Sequence, residues 1–222
     1  MKPRELIATA SVPEGEELRL FQRGDDFMIV LERNELMNSR MSGSEEALAR
    51  LTCARLHEQL APHLLLGGYG MGFTLRAALA VLPKKARITV AELVPEILDW
   101  ARGPMSALTG GSLEDDRVDV IQGDVAEVIQ QSRGIFDAIL LDVDNGPDGL
   151  TRSSNDRLYS SLGLEAARNA LTPGGVLAIW SAAPDAAFTR RLVKARFNLD
   201  EVVVRARSNG KGPRHTIWFA RR

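Results

Sequence analysis

From His63 onward, short apolar runs alternate with helical patterns, and this alternation restricts the fold more than any other feature of the chain. "LLLGG" precedes helical spacing over 72–82, "RITVAE" precedes 95–108, "RVDVIQ" precedes 124–131, "FDAILLD" precedes 156–171, and "GVLAIWS" precedes 184–195. Strands that alternate with helices require right-handed crossovers and a parallel sheet covered on both faces. The tail "LDEVVVRARSNGKGPRHTIWFARR" breaks the pattern, with two strand-like runs and no helix between them, so the last strand is expected to return antiparallel.

Upstream, "ELRLFQRGDDFMIVLER" reads as a hairpin near 17–33 that turns at Gly24, Asp25 and Asp26. In the following segment Ser44 is placed to cap a helix whose apolar face is Ala47, Leu48, Leu51, Ala54 and Leu56. The expected organisation is a hairpin-and-helix appendage or lid over 1–61 and a main domain over 62–222. Because 28 Lys and Arg stand against 29 Asp and Glu, no global positive field draws the chain to nucleic acid or an anionic membrane. A single cysteine, Cys53, excludes an internal disulfide, and the N-terminus lacks the apolar core of a signal peptide. A cytoplasmic location follows as an expectation.

In an open parallel sheet, ligands bind beyond the carboxyl ends of the strands, where a Gly-rich first turn lets them approach the backbone. Gly67, Gly68, Tyr69, Gly70 and Gly72 form that turn. A dinucleotide site needs G-x-G-x-x-G, but counting from Gly68 puts Phe73 where the third glycine belongs, which disfavours NAD. Glu92 ends "RITVAE" twenty residues beyond Gly72, where a carboxylate accepts both ribose hydroxyl protons. Gly123 and Asp124 end the third strand. Asp124 suits either the adenine amino group or a helix N-cap, and Leu93 and Val125 are the apolar neighbours that would sandwich the ring.

The G-x-G-x-G loop and the antiparallel tail resemble the class I methyltransferase branch of Rossmann-like folds, which bind S-adenosylmethionine. That likeness implies a mostly parallel seven-stranded sheet with an antiparallel C-terminal strand. Within the branch, "GGYGMG", "AELVPEIL", "QGDVAEV" and "LLDVDNGP" occur in the order of the corresponding motifs of the spermidine synthase family, and the similarity covers roughly 63–182. It implies a polyamine-related transferase in which Asp142 matches the family's catalytic aspartate. Asp144 shares its side of the strand if the strand continues. Asp142 either acts directly on the acceptor amine or caps the following turn.

Two departures shape the functional expectation. The family's loop aspartate aligns with Gly70, which leaves room for the donor's own carboxylate, and its Tyr-Gln-Glu segment has no clear counterpart, although Glu45 or Glu46 occupies a related place. The primary expectation is therefore methyl transfer from S-adenosylmethionine to a small polar acceptor. Aminopropyl transfer from decarboxylated S-adenosylmethionine and a non-catalytic nucleoside-binding scaffold are the alternatives. Acceptor contacts are expected from Arg40, which would meet the donor carboxylate, and from Glu45, Asn145 and His215, with Lys211 and Arg214 at the same sheet edge. Met37 and Met41 offer flexible apolar cover. Trp100 and Trp180 are expected to fill core space, and His57, His63 and Cys53 lack metal-ligand spacing. A small-molecule partner and a homodimer formed through the hairpin complete the expectations.

Overall fold

The computed structural model describes residues 3–12, 17–56, 58–143 and 156–222. An N-terminal antiparallel sheet has the order β1 (Glu5–Ser11), β2 (Glu17–Arg23), β3 (Asp26–Leu31) and β4 (Asn34–Asn38). The β2–β3 pair is the hairpin expected from the sequence, whereas the flanking strands were not anticipated. Helix α1 (Gly43–Ala54) leads into β5 (His63–Gly67), α2 (Phe73–Leu79), β6 (Arg87–Glu92), α3 (Pro95–Arg102) and α4 (Ser106–Thr109). Next come β7 (Val118–Gln122), α5 (Val125–Gln131), β8 (Phe136–Leu141), α6 (Asp156–Tyr159) and α7 (Ser161–Ala170). The chain ends with β9 (Leu171–Ser181), α8 (Ala186–Lys194), β10 (Asn198–Arg205) and β11 (Arg214–Arg221).

The second sheet has seven strands in the order β10-β11-β9-β8-β5-β6-β7. β11 lies antiparallel to both β9 and β10, while β5, β6, β7, β8 and β9 run parallel. The expected sheet and its reversed final strand are therefore both present. Alternation along β5 divides the core, sending Leu64 and Leu66 to one face and Leu65 to the other, all buried. Such strands read as continuous apolar runs because helices cover both faces. The order reverses at β5, which has β6 on one side and β8 on the other, so the crevice opens beyond its carboxyl end.

Helix α1 begins earlier than its sequence suggested. Ser42 occupies the cap position without a side-chain cap bond, and Ser44 lies inside the first turn, fully buried. The cause is tertiary. Gly43 N donates to Ala206 O at 2.8 Å, and a Cβ on Gly43 would lie 2.4 Å from the Arg207 carbonyl carbon, so only glycine permits this docking on the β10–β11 hairpin. No helix among the described residues is long and apolar enough to cross a membrane.

Candidate functional site

The cleft at the switch point lies between the glycine loop and the inner face of the N-terminal sheet. Val12, Leu18, Leu31, Leu36 and Met37 form its upper wall, and Gly68, Gly70, Leu93, Val94, Ile97 and Val125 form much of the opposite one. Of this wall, Met37 was anticipated as apolar cover and the segment as a lid, whereas Val12, Leu18, Leu31 and Leu36 were missed from sequence, although the apolar alternation in "ELRLF" signals an inward face that must be covered. Trp180 was expected to fill core space. It is only half-buried and lines the cleft, because β9 carries it to the edge where the crossovers end. Trp100 is buried as expected.

The loop is shaped by positive φ at Gly68, Gly70 and Gly72. At Gly72 a Cβ would lie 2.6 Å from Tyr69 Oη, a clash on top of the strain that a left-handed φ imposes on an L side chain. Gly67, Tyr69 and Gly72 stand behind the cleft wall rather than in it. The Tyr69 ring is buried, with its hydroxyl 3.1 Å from Ser112 Oγ, and only its backbone serves the site.

That backbone orients Glu92. Its Oε2 accepts from Tyr69 N at 2.8 Å and its Oε1 from Val94 N at 2.9 Å. Burial pushes the Glu92 carboxyl above its usual value, while hydrogen bonds from backbone N–H groups, Val94 and Tyr69 first, oppose that shift. The carboxylate also lines the cleft. Of the two roles expected for Asp124, the helix cap is present. It caps α5, accepting from Ala126 N at 2.7 Å, and its other oxygen pairs with Arg157 while the residue borders the cleft.

At the opposite end the structure brings Asp142 and Glu45 together from β8 and α1. Thr74 Oγ1, on α2, lies 3.4 Å from Asp142 Oδ2 and 3.5 Å from the Glu45 backbone oxygen. Burial raises the Asp142 carboxyl; burial first, and then the charge of Asp142, raises that of Glu45. Two like charges in a poorly solvated site favour retaining a proton between them. Ser44 Oγ donates to Glu45 Oε2 at 2.7 Å and lies 2.9 Å from His215 Nδ1, so His215 joins the site through Ser44 rather than by lining the cleft.

Arg40 is a correction. It is exposed and forms an ion pair with Asp26, with Nε 2.9 Å from Asp26 Oδ2, because the turn of the β2–β3 hairpin offers it a carboxylate away from the cleft. Lys211 and Arg214 are likewise exposed. Asp144, Asn145 and His57 lie outside the described residues. His63 places Nε2 3.0 Å from Thr89 Oγ1 and packs edge-on to Phe136, while burial pushes the Cys53 thiol up to about 12.

The strand order and the cleft at its reversal define a Rossmann-like protein of the methyltransferase-fold branch. Residues 44–194 match the spermine/spermidine synthase domain, and the chain belongs to that family. A polyamine aminopropyltransferase of Sulfolobus acidocaldarius is 29% identical over 121 residues, which are 54% of this chain and 38% of that protein. Polyamine aminopropyltransferase 1 of Streptomyces coelicolor is 32% identical over 141 residues, covering 59% of this chain and 25% of the relative. The chain thus spans less than two-fifths of the length of either relative. Spermidine synthase of Thermotoga maritima superposes with a TM-score of 0.76 at 18% identity, over 97% of this chain and 72% of that one. A spermidine synthase in complex with the transition-state analogue AdoDATO superposes equally well, at the same identity and coverage.

These matches overturn the expectation of methyl transfer, since the family and the relatives are those of aminopropyl transfer. The cleft supplies the physical reason. The room expected at Gly70 for a donor carboxylate is occupied by Met37, whose Cε and Sδ lie 3.0 and 3.1 Å from where a Cβ would stand. No lysine, arginine or histidine side chain is among the described residues lining the cleft, so an anionic donor tail would meet four carboxylates and no countercharge.

Proposed function

We propose that the chain transfers an aminopropyl group from decarboxylated S-adenosylmethionine to a small amine. The observation that carries this reading is the charge of the cleft: Glu45, Glu92, Asp124 and Asp142 line it, with no cationic side chain among its described residues. Such a lining favours ligands that arrive as cations, which describes both a decarboxylated sulfonium donor and an ammonium acceptor.

The residues present suit the donor. Glu92 presents its carboxylate to the cleft as an acceptor for the ribose hydroxyls, Leu93, Val94, Ile97 and Val125 provide apolar faces for the base, and Asp124 borders the place for its amino group. Bound there, the donor supplies a sulfonium-activated carbon and a neutral thioether leaving group. The chain's own contribution is mainly positioning, which can remove about 7–11 kcal/mol of barrier. Asp142 and Glu45 hold the acceptor ammonium, and Glu45, its carboxyl raised, takes the proton that frees the nitrogen lone pair. Asp124 is the less specific element because its cap and its ion pair already account for it.

Incubating the purified chain with decarboxylated S-adenosylmethionine and a panel of diamines, with mass-spectrometric detection of methylthioadenosine and the aminopropylated amine, tests the assignment. Both products should accumulate in equal amounts. Failure to bind the decarboxylated donor, or tighter binding of S-adenosylmethionine itself, overturns it.

A further inference from the structure

His215 belongs to a chain of three polar side chains that ends on the acid pair, and their arrangement is unusual for a helix start. A serine in a first helical turn ordinarily caps or faces water. Ser44 does neither; it is fully buried between two titratable groups, with His215 Nδ1 at 2.9 Å and Glu45 Oε2 at 2.7 Å. The imidazole is held in place by strand pairing opposite Val204 and by edge-on packing against Trp180, whose ring centroid lies 4.7 Å away. These partners are 171 residues apart in sequence, and the docking of Gly43 on the hairpin is what joins them.

A hydroxyl has one proton to give and lone pairs to accept. With Glu45 ionised, Ser44 donates to it and His215 Nδ1 must carry a proton that Ser44 accepts. With Glu45 protonated, the chain reverses: Glu45 donates to Ser44 and Ser44 donates to a bare Nδ1. The two arrangements are related by proton shifts along the chain, as a relay requires.

We propose that His215 is a positioning residue for Glu45, setting the direction of this hydrogen-bond chain through Ser44 and taking the proton that Glu45 must lose before it receives the one shed by the acceptor amine. The proposal rests on the aminopropyl-transfer reading. In the balanced step, protonated Glu45 gives its proton to Ser44 Oγ as Ser44 gives its own to the bare His215 Nδ1. The ammonium N–H bond then breaks and its proton passes to the ionised Glu45. The freed lone pair forms the C–N bond as the C–S bond breaks, and sulfur keeps that electron pair as a neutral thioether. The imidazolium then loses its proton to water.

The surroundings suit this task. Burial holds the His215 imidazole below its usual value, so it is neutral and able to accept at neutral pH. From α1 the charged neighbours are Glu45 and Glu46, the latter engaged by Ser42 and Arg50; from β8 it is Asp142. β9 presents Trp180 and β10 presents Val204, while Arg205 and Arg214, one register step away, are exposed.

The test pairs a pH profile with a substrate-free measurement. An asparagine amide can replace the Nδ1 hydrogen bond but cannot take up a proton. His215→Asn should therefore keep both KM values within about twofold, lower kcat about tenfold or more at neutral pH, and move the acidic limb of the profile to higher pH. A His215→Asn enzyme with the kcat and profile of the parent overturns the proposal, even if His215→Ala is inactive. Independently of turnover, the nitrogen NMR titration of His215 should show, above the imidazole's own step, a second shift as Glu45 ionises and the Nδ1 hydrogen bond reverses, and Glu45→Gln should abolish it; absence of that shift in the parent overturns the coupling. If that shift is seen but no aminopropyl transfer occurs in the parent, the reaction reading fails and the proton-coupled pair stands.

Discussion

At one end of the cleft Glu92 and Asp124 are fixed by partners that the backbone and an arginine provide; at the other, Glu45 and Asp142 meet hydroxyls and each other. Backbone N–H groups oppose the rise that burial imposes on the Glu92 carboxyl and hold it in one orientation as a fixed acceptor. A half-buried pair with no cation bonded to it among the described residues favours retaining a proton. On the proposed reading, the same functional group serves recognition at one end and proton handling at the other, and its hydrogen-bond partners make the difference.

The sharpest way to break this contrast is to neutralise one carboxylate at each end. Asp142→Asn should reduce kcat by about 10²–10⁴-fold while donor affinity, measured by calorimetry, changes little. Glu92→Gln should do the reverse. Losing charge-assisted hydrogen bonds to the ribose costs about 1.5–3 kcal/mol, so the donor Kd should rise roughly 10- to 100-fold with kcat largely kept. If Asp142→Asn weakens donor binding as much as Glu92→Gln does, the two ends are not functionally distinct.

A subtler separation comes from stability against pH. The Glu45 carboxyl is raised on folding, so the folded chain holds that proton more tightly than the unfolded one. Its favourable contribution is present below the ordinary carboxylate value, near pH 4, and is lost as pH rises through the raised one. The melting temperature of Glu45→Gln relative to the parent should therefore increase between mildly acidic and neutral pH. A flat difference would show that Glu45 titrates normally. The smallest effect is expected at Asp124→Asn, because asparagine still caps a helix and only the ion pair with the half-exposed Arg157 is lost; chemical denaturation should show a change of about 1 kcal/mol or less.

How much of this was legible beforehand differs along the chain. The parallel sheet and its reversed last strand could be read because the runs from "LLLGG" to "HTIWFARR" carry strand and crossover spacing locally. Glu92 and Asp142 stood out because each ends a strand, and strand ends in such a sheet line the crevice. Apart from Met37, the upper wall could not be assigned residue by residue, since apolar alternation in β2 and β3 says that one face is buried but not what it covers. Arg40 was misplaced because a flexible cation takes the nearest carboxylate in space, Asp26, and proximity of that kind is not written in spacing.

The amino-acid order by itself determined the strand–helix alternation of the main domain, the glycine loop and the family, because propensity, periodicity and glycine placement act over a few residues. Tertiary structure alone decided which distant segments meet at the cleft. Met37 closing over Gly70 and His215 reaching Ser44 are contacts between distant segments, and they arise only when packing places β4 on the loop and α1 on the last hairpin.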